Sequence, residues 1–436
     1  MRNAFLFLLL ASGHLLFAQT NDKYLIRAGR LFDSETGQFK DGMTILVNDN
    51  KIAAVKPANE VTKQEEKDYQ LIDLSSYTVL PGLIDAHTHL LYKEIIYPQN
   101  EFDGLDLGRT LTMDGDAYRA IYGAARAKAY LEAGITSVQD LGNSGEFADI
   151  ALRRAIREEL VPGPRMRCSG KGLSSTGGQI PGLIFKHQSI VNDEYRIVKG
   201  PEDGIQAVRE NITQGADVIK IYSNNTPNNT YLSIEEMKAI VGEAHRYHLR
   251  VTAHATSNQA VYNAVIAGVD GIEHGYQVED STLELMAKKG VVLVPTDGDS
   301  VSFIQYAKLA SSGDPQPMIR EIMAYRRAEG DRLQRAIRKG VTIVAGSDDY
   351  VDFKEPFAEP SKRTLIGYYE SGVPIPQVLQ FATINASRQL NWAGKIGVLK
   401  AGYWADIIAV DKDLEKNIDA ILHVHFVMKG GKVVVQ

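Results

Sequence analysis

The stretch "LIDAHTHL", residues 83–90, decides how the rest of the chain is read. It follows "TVLPG" and starts as a buried strand does, with Val79, Leu80, Leu83 and Ile84. It then places Asp85, His87 and His89 where the run should stay apolar. Residues two apart on a strand face the same side, so His87 and His89 would project together from the strand's end.

Downstream the same texture recurs. Short apolar strands are expected at "ITSVQDLG" (135–142), "RMRCSGKG" (165–172), "DVIKIYS" (217–223) and "RVTAHA" (250–255). "GIEHGY" (271–276), "VVLVPTD" (291–297) and "VTIVAGSD" (341–348) complete the series. Amphipathic stretches at 116–133, 147–159, 202–214, 233–248, 258–267 and 281–289 predict the intervening helices, several ending in a glycine cap. Alternation of this kind predicts an α/β fold, a (β/α)8 TIM barrel. An open doubly wound sheet would carry a Gly-rich phosphate turn after its first strand, and this chain has none.

The ends differ from the middle. Residues 19–80 and 393–436 alternate apolar and polar residues between turn signals, which predicts a small composite β-sandwich around a barrel spanning 81–392. Residues 1–18, "MRNAFLFLLLASGHLLFA", have a basic start and an apolar run too short to span a bilayer. They read as a signal peptide cleaved after Ala18, giving a periplasmic or secreted protein with no membrane span; an uncleaved anchor is the alternative. The single Cys168 excludes an internal disulfide. With 48 basic and 54 acidic residues, net charge −6, the chain shows no reason to bind nucleic acid, and a homo-oligomer is compatible with it.

In a barrel, chemistry gathers at the C-terminal ends of the strands. There the sequence places His87, His89, Lys220, His254, His274 and Asp348, from five strands. Any one could be an ordinary core residue, but six converging on one rim predict a metal site. The chain carries its own control in "HVH", where His423 and His425 repeat the spacing after the barrel with no carboxylate partner in view, and these read as structural. His187, His245 and His248 have no assigned metal role.

"GLIDAHTH", "VIKIY", "TAHA", "IEHG" and "AGSD", in this order, resemble the amidohydrolase superfamily. "GADVIKI", "EEMKAIVGEAHR" and "GVDGIEHG" are similar to its branch of Xaa-Pro dipeptidases (prolidases) and imidazolonepropionase-like hydrolases. The resemblance implies two divalent metal ions: His87, His89 and Asp348 on one, His254 and His274 on the other, and Lys220 bridging as a CO2-derived carbamate. Zinc is favoured by the His-rich set, while Mn, Co and Fe also suit it. It further implies hydrolysis of a small-molecule or dipeptide amide by an activated water, with Asp348 as its base. A cyclic-amide or N-acyl-amide hydrolase is the alternative, and a non-catalytic scaffold a more distant one. Tyr231, just before the "SIEEM" helix start, matches the position of an oxyanion-stabilising tyrosine. His187, Lys186 and Arg196, in the long 171–200 loop, are candidates to meet a substrate carboxylate. "TGGQI" puts Gln179 where relatives often have histidine.

Overall fold

The computed structural model describes residues 23–96, 110–180, 182–226, 228–353 and 356–436. The expected leader, residues 1–18, lies outside the described residues. Strands β1 (Lys23–Asp33), β2 (Gln38–Asn48), β3 (Lys51–Pro57) and β4 (Gln70–Pro81) form the N-terminal β segment. The barrel region supplies β5 (Leu83–Thr88), β6 (Ile135–Asp140), β7 (Arg165–Cys168), β8 (Gly172–Ser174), β9 (Tyr195–Ile197) and β10 (Ile219–Tyr222). It continues through β11 (Val251–Ala255), β12 (Gly271–His274) and β13 (Val292–Val294), and β14 (Ile407–Asp411), β15 (Val424–Lys429) and β16 (Lys432–Val435) end the chain.

The two chain ends form one sheet, ordered β16-β15-β14-β4-β1-β2-β3. The junction is antiparallel, with Ile407 opposite Pro81 and Asp411 opposite Tyr77. Ile45 and Ile52 from one end of that order share a core with Phe426 and Met428 from the other, so the sheet folds over itself as a sandwich.

The barrel strands are parallel within two sheets, β5-β6-β7 and β13-β12-β11-β10-β8-β9. Two connections join them into a ring. Asp217 N–H donates to Cys168 O (2.8 Å), linking the approach to β10 with the end of β7. Across the other gap, Leu293 N–H donates to Thr342 O (3.0 Å), Val344 N–H to Leu293 O (2.9 Å), and Ala86 N–H to Ala345 O (3.0 Å). Residues 342–345 therefore fill the eighth position between β13 and β5. They do not form the regular strand expected over 341–348, because so few backbone groups divided between two neighbours make no ladder. The apolar layer inside and around the ring includes Val138, Ile221, Ala253, Ile272 and Leu293, all essentially inaccessible.

Two other expectations change. The strand over 165–172 ends at Cys168, where Gly170 (φ 63°) turns the chain, and β8 restarts beside β10. The 171–200 segment is also not a free loop. Its β8 and β9 pair in parallel, Gly172 with Tyr195 through Ser174 with Ile197, and extend the sheet at β10. The helices fall where the periodicity puts them: Gly115–Glu132, Ala148–Arg157, Pro201–Gln214, Ile234–Arg246, Asn258–Ala267 and Asp280–Lys289. Among the described residues, no helix is long and apolar enough to cross a membrane.

Candidate metal centre

His87 lies on β5 and His89 directly follows it, with both rings buried and each outer nitrogen engaged. His89 Nδ1–H donates to Gly142 O (2.8 Å), a group that can only accept, so His89 Nε2 carries a lone pair. His87 Nδ1 faces Glu273 Oε2 at 2.7 Å, which leaves His87 Nε2 as the free lone pair in the same way. The two Nε2 atoms stand 3.3 Å apart, and Asp348 Oδ1 lies 3.0 Å from one and 3.3 Å from the other. With both rings neutral, three acceptors at such distances repel unless a proton or a cation sits among them. Donors bound about 2.1 Å from one ion at 90–109° would be ~3.0–3.4 Å apart, so this trio fits a divalent cation. His87, His89 and Asp348 could hold a metal ion.

The neighbouring strands add the remaining predicted ligands. Lys220 on β10 is fully buried, and its Nζ lies 3.5 Å from His87 Nε2. Burial pushes this ammonium below its usual pKa, with Glu273 and Asp348 opposing. His254 and His274, ending β11 and β12, pack edge to face with centroids 4.6 Å apart. His274 Nδ1 is taken by Thr296 Oγ1 (2.9 Å), whereas His254 Nε2 is buried with no hydrogen-bond partner. An orphaned ring nitrogen beside a buried lysine costs about 1–3 kcal/mol, and a second cation would relieve it. Burial would raise the Asp348 carboxyl, but His87, His89 and Lys220 outweigh it and hold it below the usual carboxylate range.

Residues without a metal-binding pattern of their own frame this cluster. Glu273 orients His87 while accepting a short hydrogen bond from Thr252 Oγ1. Asp140, at the end of β6, accepts from Leu90 N–H (2.7 Å) and Thr88 Oγ1 (3.2 Å), fixing the exit from β5. Asp85 accepts from Ser347 N–H (3.0 Å), Ser347 Oγ (2.6 Å), Ser361 Oγ (2.5 Å) and His87 N–H (3.1 Å), tying β5 to the segment carrying Asp348. Burial nonetheless raises this carboxyl to about 6. Arg126, from helix Gly115–Glu132, donates to His89 O (2.8 Å) and pairs with Asp349 (3.1 Å). Gly346 is required by contact: a Cβ there would lie 2.8 Å from His87 Cβ.

Two of the predicted ligands sit in left-handed backbone, His274 at φ 72° and Asp348 at φ 54°. Each such residue costs of order 1 kcal/mol and persists when its surroundings over-determine it. Here Asp348 N–H donates to His87 O (2.8 Å), and the buried Arg332 donates to His274 O. Glu273 and Asp140 had a legible signal, a carboxylate within an apolar strand. Arg126 and Arg332 had none, because arginine on an amphipathic helix is ordinarily exposed.

The predicted substrate residues are dispersed. Tyr231 is half exposed and bridges to Asn224 just beyond β10, with its helix started by a Ser233–Glu236 capping box. Lys186 and His187 are exposed on a short helical turn. Arg196 is clamped by Asp203 (2.7 Å) and Glu210 (2.7 Å), so its charge is already neutralised, and it lines a separate cleft. Gln179 is buried with Nε2 unpartnered. His245 ends helix Ile234–Arg246 and pairs with Asp270 (3.0 Å). One expectation is corrected: His423 and His425 do have a carboxylate. Antiparallel pairing of β14 with β15 brings Asp411 within 2.7 Å of both rings.

The model of the amidohydrolase family matches residues 78–434. The chain belongs to the amidohydrolase family. Ochratoxinase of Aspergillus niger is 28% identical over 456 residues, covering 96% of this chain and 88% of that protein. Its crystal structure superposes with a TM-score of 0.80 at 27% identity over 95% of this chain and 96% of the other. A Xaa-Pro dipeptidase crystallised with methionine in its active site gives a TM-score of 0.80 at 27% identity, covering 95% and 100%. Imidazolonepropionase of Symbiobacterium thermophilum is 25% identical over 84% of this chain and 83% of its own. As an amidohydrolase with hydrolase relatives, the protein is a hydrolase acting on carbon–nitrogen bonds.

Proposed function

We propose that this amidohydrolase cleaves peptide-like amides with two divalent ions, as a dipeptidase or carboxypeptidase-type enzyme. One observation carries the reading: the Nε2 atoms of His87 and His89 and Oδ1 of Asp348 converge within 3.3 Å with their outer nitrogens already committed. Divalent ions, when bound there, would supply Lewis acidity for the carbonyl and for water.

This chain's own residues do the rest. His87, His89 and Asp348 would hold one ion, His254 and His274 the other. Lys220, buried beside His87 and lowered toward its neutral amine, would join them as the carbamate. Asp348 both reaches the ligand cluster and lines a cavity of about 640 Å³. Ionised at neutral pH, it can accept a proton and return it to the leaving amine. Tyr231 would donate to the oxyanion. Residues 1–18 would direct the enzyme across a membrane, and a mature N-terminus at Gln19 would test this.

Metal analysis followed by a panel of dipeptides, Xaa-Pro included, and N-acyl amino acids tests the proposal. Expected are about two ions per chain and amide turnover. Protein that stays inert after Zn2+ or Co2+ and bicarbonate are supplied would overturn it. Tyr231→Phe should lower kcat by about 10²–10³-fold with metal content kept, and unchanged turnover would remove its role.

A further inference from the structure

Beside Asp348 opens the cavity of about 640 Å³, and its walls are unlike the metal cradle. Tyr276, Phe303, Tyr325 and Phe353 line it, with Glu329 among them. Tyr325 is edge-on to Tyr276 (centroids 5.8 Å, 65°) and to Phe303 (6.4 Å, 72°), so the wall is a preformed run of aromatic faces and edges.

The wall is rigidly held. Asp299 caps helix Ser300–Ala310, which carries Phe303, by accepting from Ser302 N–H (2.8 Å). Glu370 accepts from Ser300 N–H (2.9 Å) and from Arg326 on helix Gln316–Arg338, which carries Tyr325 and Glu329. Arg332 lies over the Tyr276 ring at 5.5 Å and pairs with Asp297.

Glu329 is the anomaly. It is 4% exposed, and its Oε2 is buried with no hydrogen-bond partner, although the residue lines the cavity. Arg332 is already committed to Asp297 and to His274 O. Burial first, and the nearby Asp297 second, push the Glu329 carboxyl well above its usual range, against Arg332 and a hydrogen bond from Tyr325, and so favour the neutral acid. Among the described residues the lining holds no Lys or Arg to meet an anion. The Asp349 carboxylate that also faces it is tied to Arg126 and to Tyr130 OH (2.8 Å). An aromatic enclosure with one orphaned polar oxygen suits an uncharged ring carrying a hydrogen-bond acceptor.

We propose that this cavity is the specificity pocket, that it takes an uncharged aromatic group of the amide substrate, and that Glu329 hydrogen-bonds an acceptor on that ring. The inference rests on the amide-hydrolase function proposed above, and it goes further by naming the substrate class.

The test uses metal-loaded full-length protein and N-acyl amino-acid amides bearing Gly, Leu, Phe, 4-cyanophenylalanine or Arg, with both hydrolysis and calorimetric binding measured. Phe should exceed Gly by ~100-fold in kcat/KM and in affinity, and 4-cyanophenylalanine should exceed Phe. Phe303→Ala and Tyr325→Ala should shrink the Phe/Gly ratio, with Phe303→Leu as the variant of least disruption. Glu329→Gln, which still donates, should keep the preference for the cyano ring, and Glu329→Leu should lose it while Phe still binds. Equal affinity for Gly and Phe, or a preference for Arg, overturns the pocket. Hydrolysis without aromatic preference sinks this inference and leaves the function standing. Aromatic-selective binding without hydrolysis of any amide does the reverse.

Discussion

Two His-x-His pairs in this chain meet an aspartate across neighbouring backbone: His87 and His89 meet Asp348, and His423 and His425 meet Asp411. Spacing and partner type are the same. At the barrel rim the two imidazoles are 1% and 5% exposed and converge on a single oxygen, Asp348 Oδ1. On the outer sheet they are 62% and 40% exposed, and each takes a separate oxygen of Asp411. His425 also stacks on Tyr77 at 4.6 Å. The rim pair has its outer nitrogens fixed by Glu273 and Gly142 O, so both lone pairs point inward. What fits the rim pair to a metal ion is thus less the histidines than the acceptors behind them.

The two pairs should differ most at their aspartates. Asp348→Asn should lower kcat/KM by about 10²–10⁴-fold and reduce bound metal, whereas His423→Ala with His425→Ala should change neither. Equal effects on both pairs, by kinetics and metal analysis, would abolish the distinction. Next, Glu273→Gln should cost about 10–100-fold in metal affinity or activity while the His87 side chain itself is retained. Titration with Zn2+ in competition with a chelator would show it, and wild-type affinity would mean the carboxylate does not orient the ring.

A pH effect should follow. Burial lowers the His89 pKa, but its bond to Asp348 overcomes this and leaves it raised above 6.5. A proton then competes with the cation for Nε2, so metal affinity should fall as pH drops through and below that range. Proton release on metal binding, read by calorimetry in buffers of different ionisation enthalpy, checks the sign. The smallest effect is on the surface. His425 and His423 hold the exposed Asp411 carboxyl below 3.8. A depressed folded-state value gives stability that is present above 3.8 and lost as pH falls through the lowered one. For so exposed a cluster this is worth under about 1 kcal/mol, so Asp411→Asn should barely move Tm at neutral pH.

Much of this architecture was legible because the signals are local. A polar residue closing an apolar strand stands out at His87, His89, Lys220, His254 and His274, and each lies on or at the end of a barrel strand. Helix limits were equally plain, since glycine caps such as Gly215 and Gly268 mark where each helix stops (φ 100° and 97°). The eighth strand was less so, because residues 342–345 divide their hydrogen bonds between two neighbours. The role of Asp85 is not legible locally, because its donors Ser347 and Ser361 are distant in sequence.

The sequence by itself determined the repeat, the sandwich built from both chain ends and the residue types at the rim, because period and composition are short-range properties. Only the tertiary structure decided which nitrogen of each histidine is free, which carboxylate is orphaned, and that Arg196 is spent on Asp203 and Glu210. The partners of Arg196 lie only 7 and 14 residues on, but those of His87 and His89 lie 186 and 53 residues away, brought within hydrogen-bonding distance by the tertiary fold. The aromatic cavity beside Asp348 is of the same kind: its walls come from separate helices and loops, and no local pattern in the chain announces it.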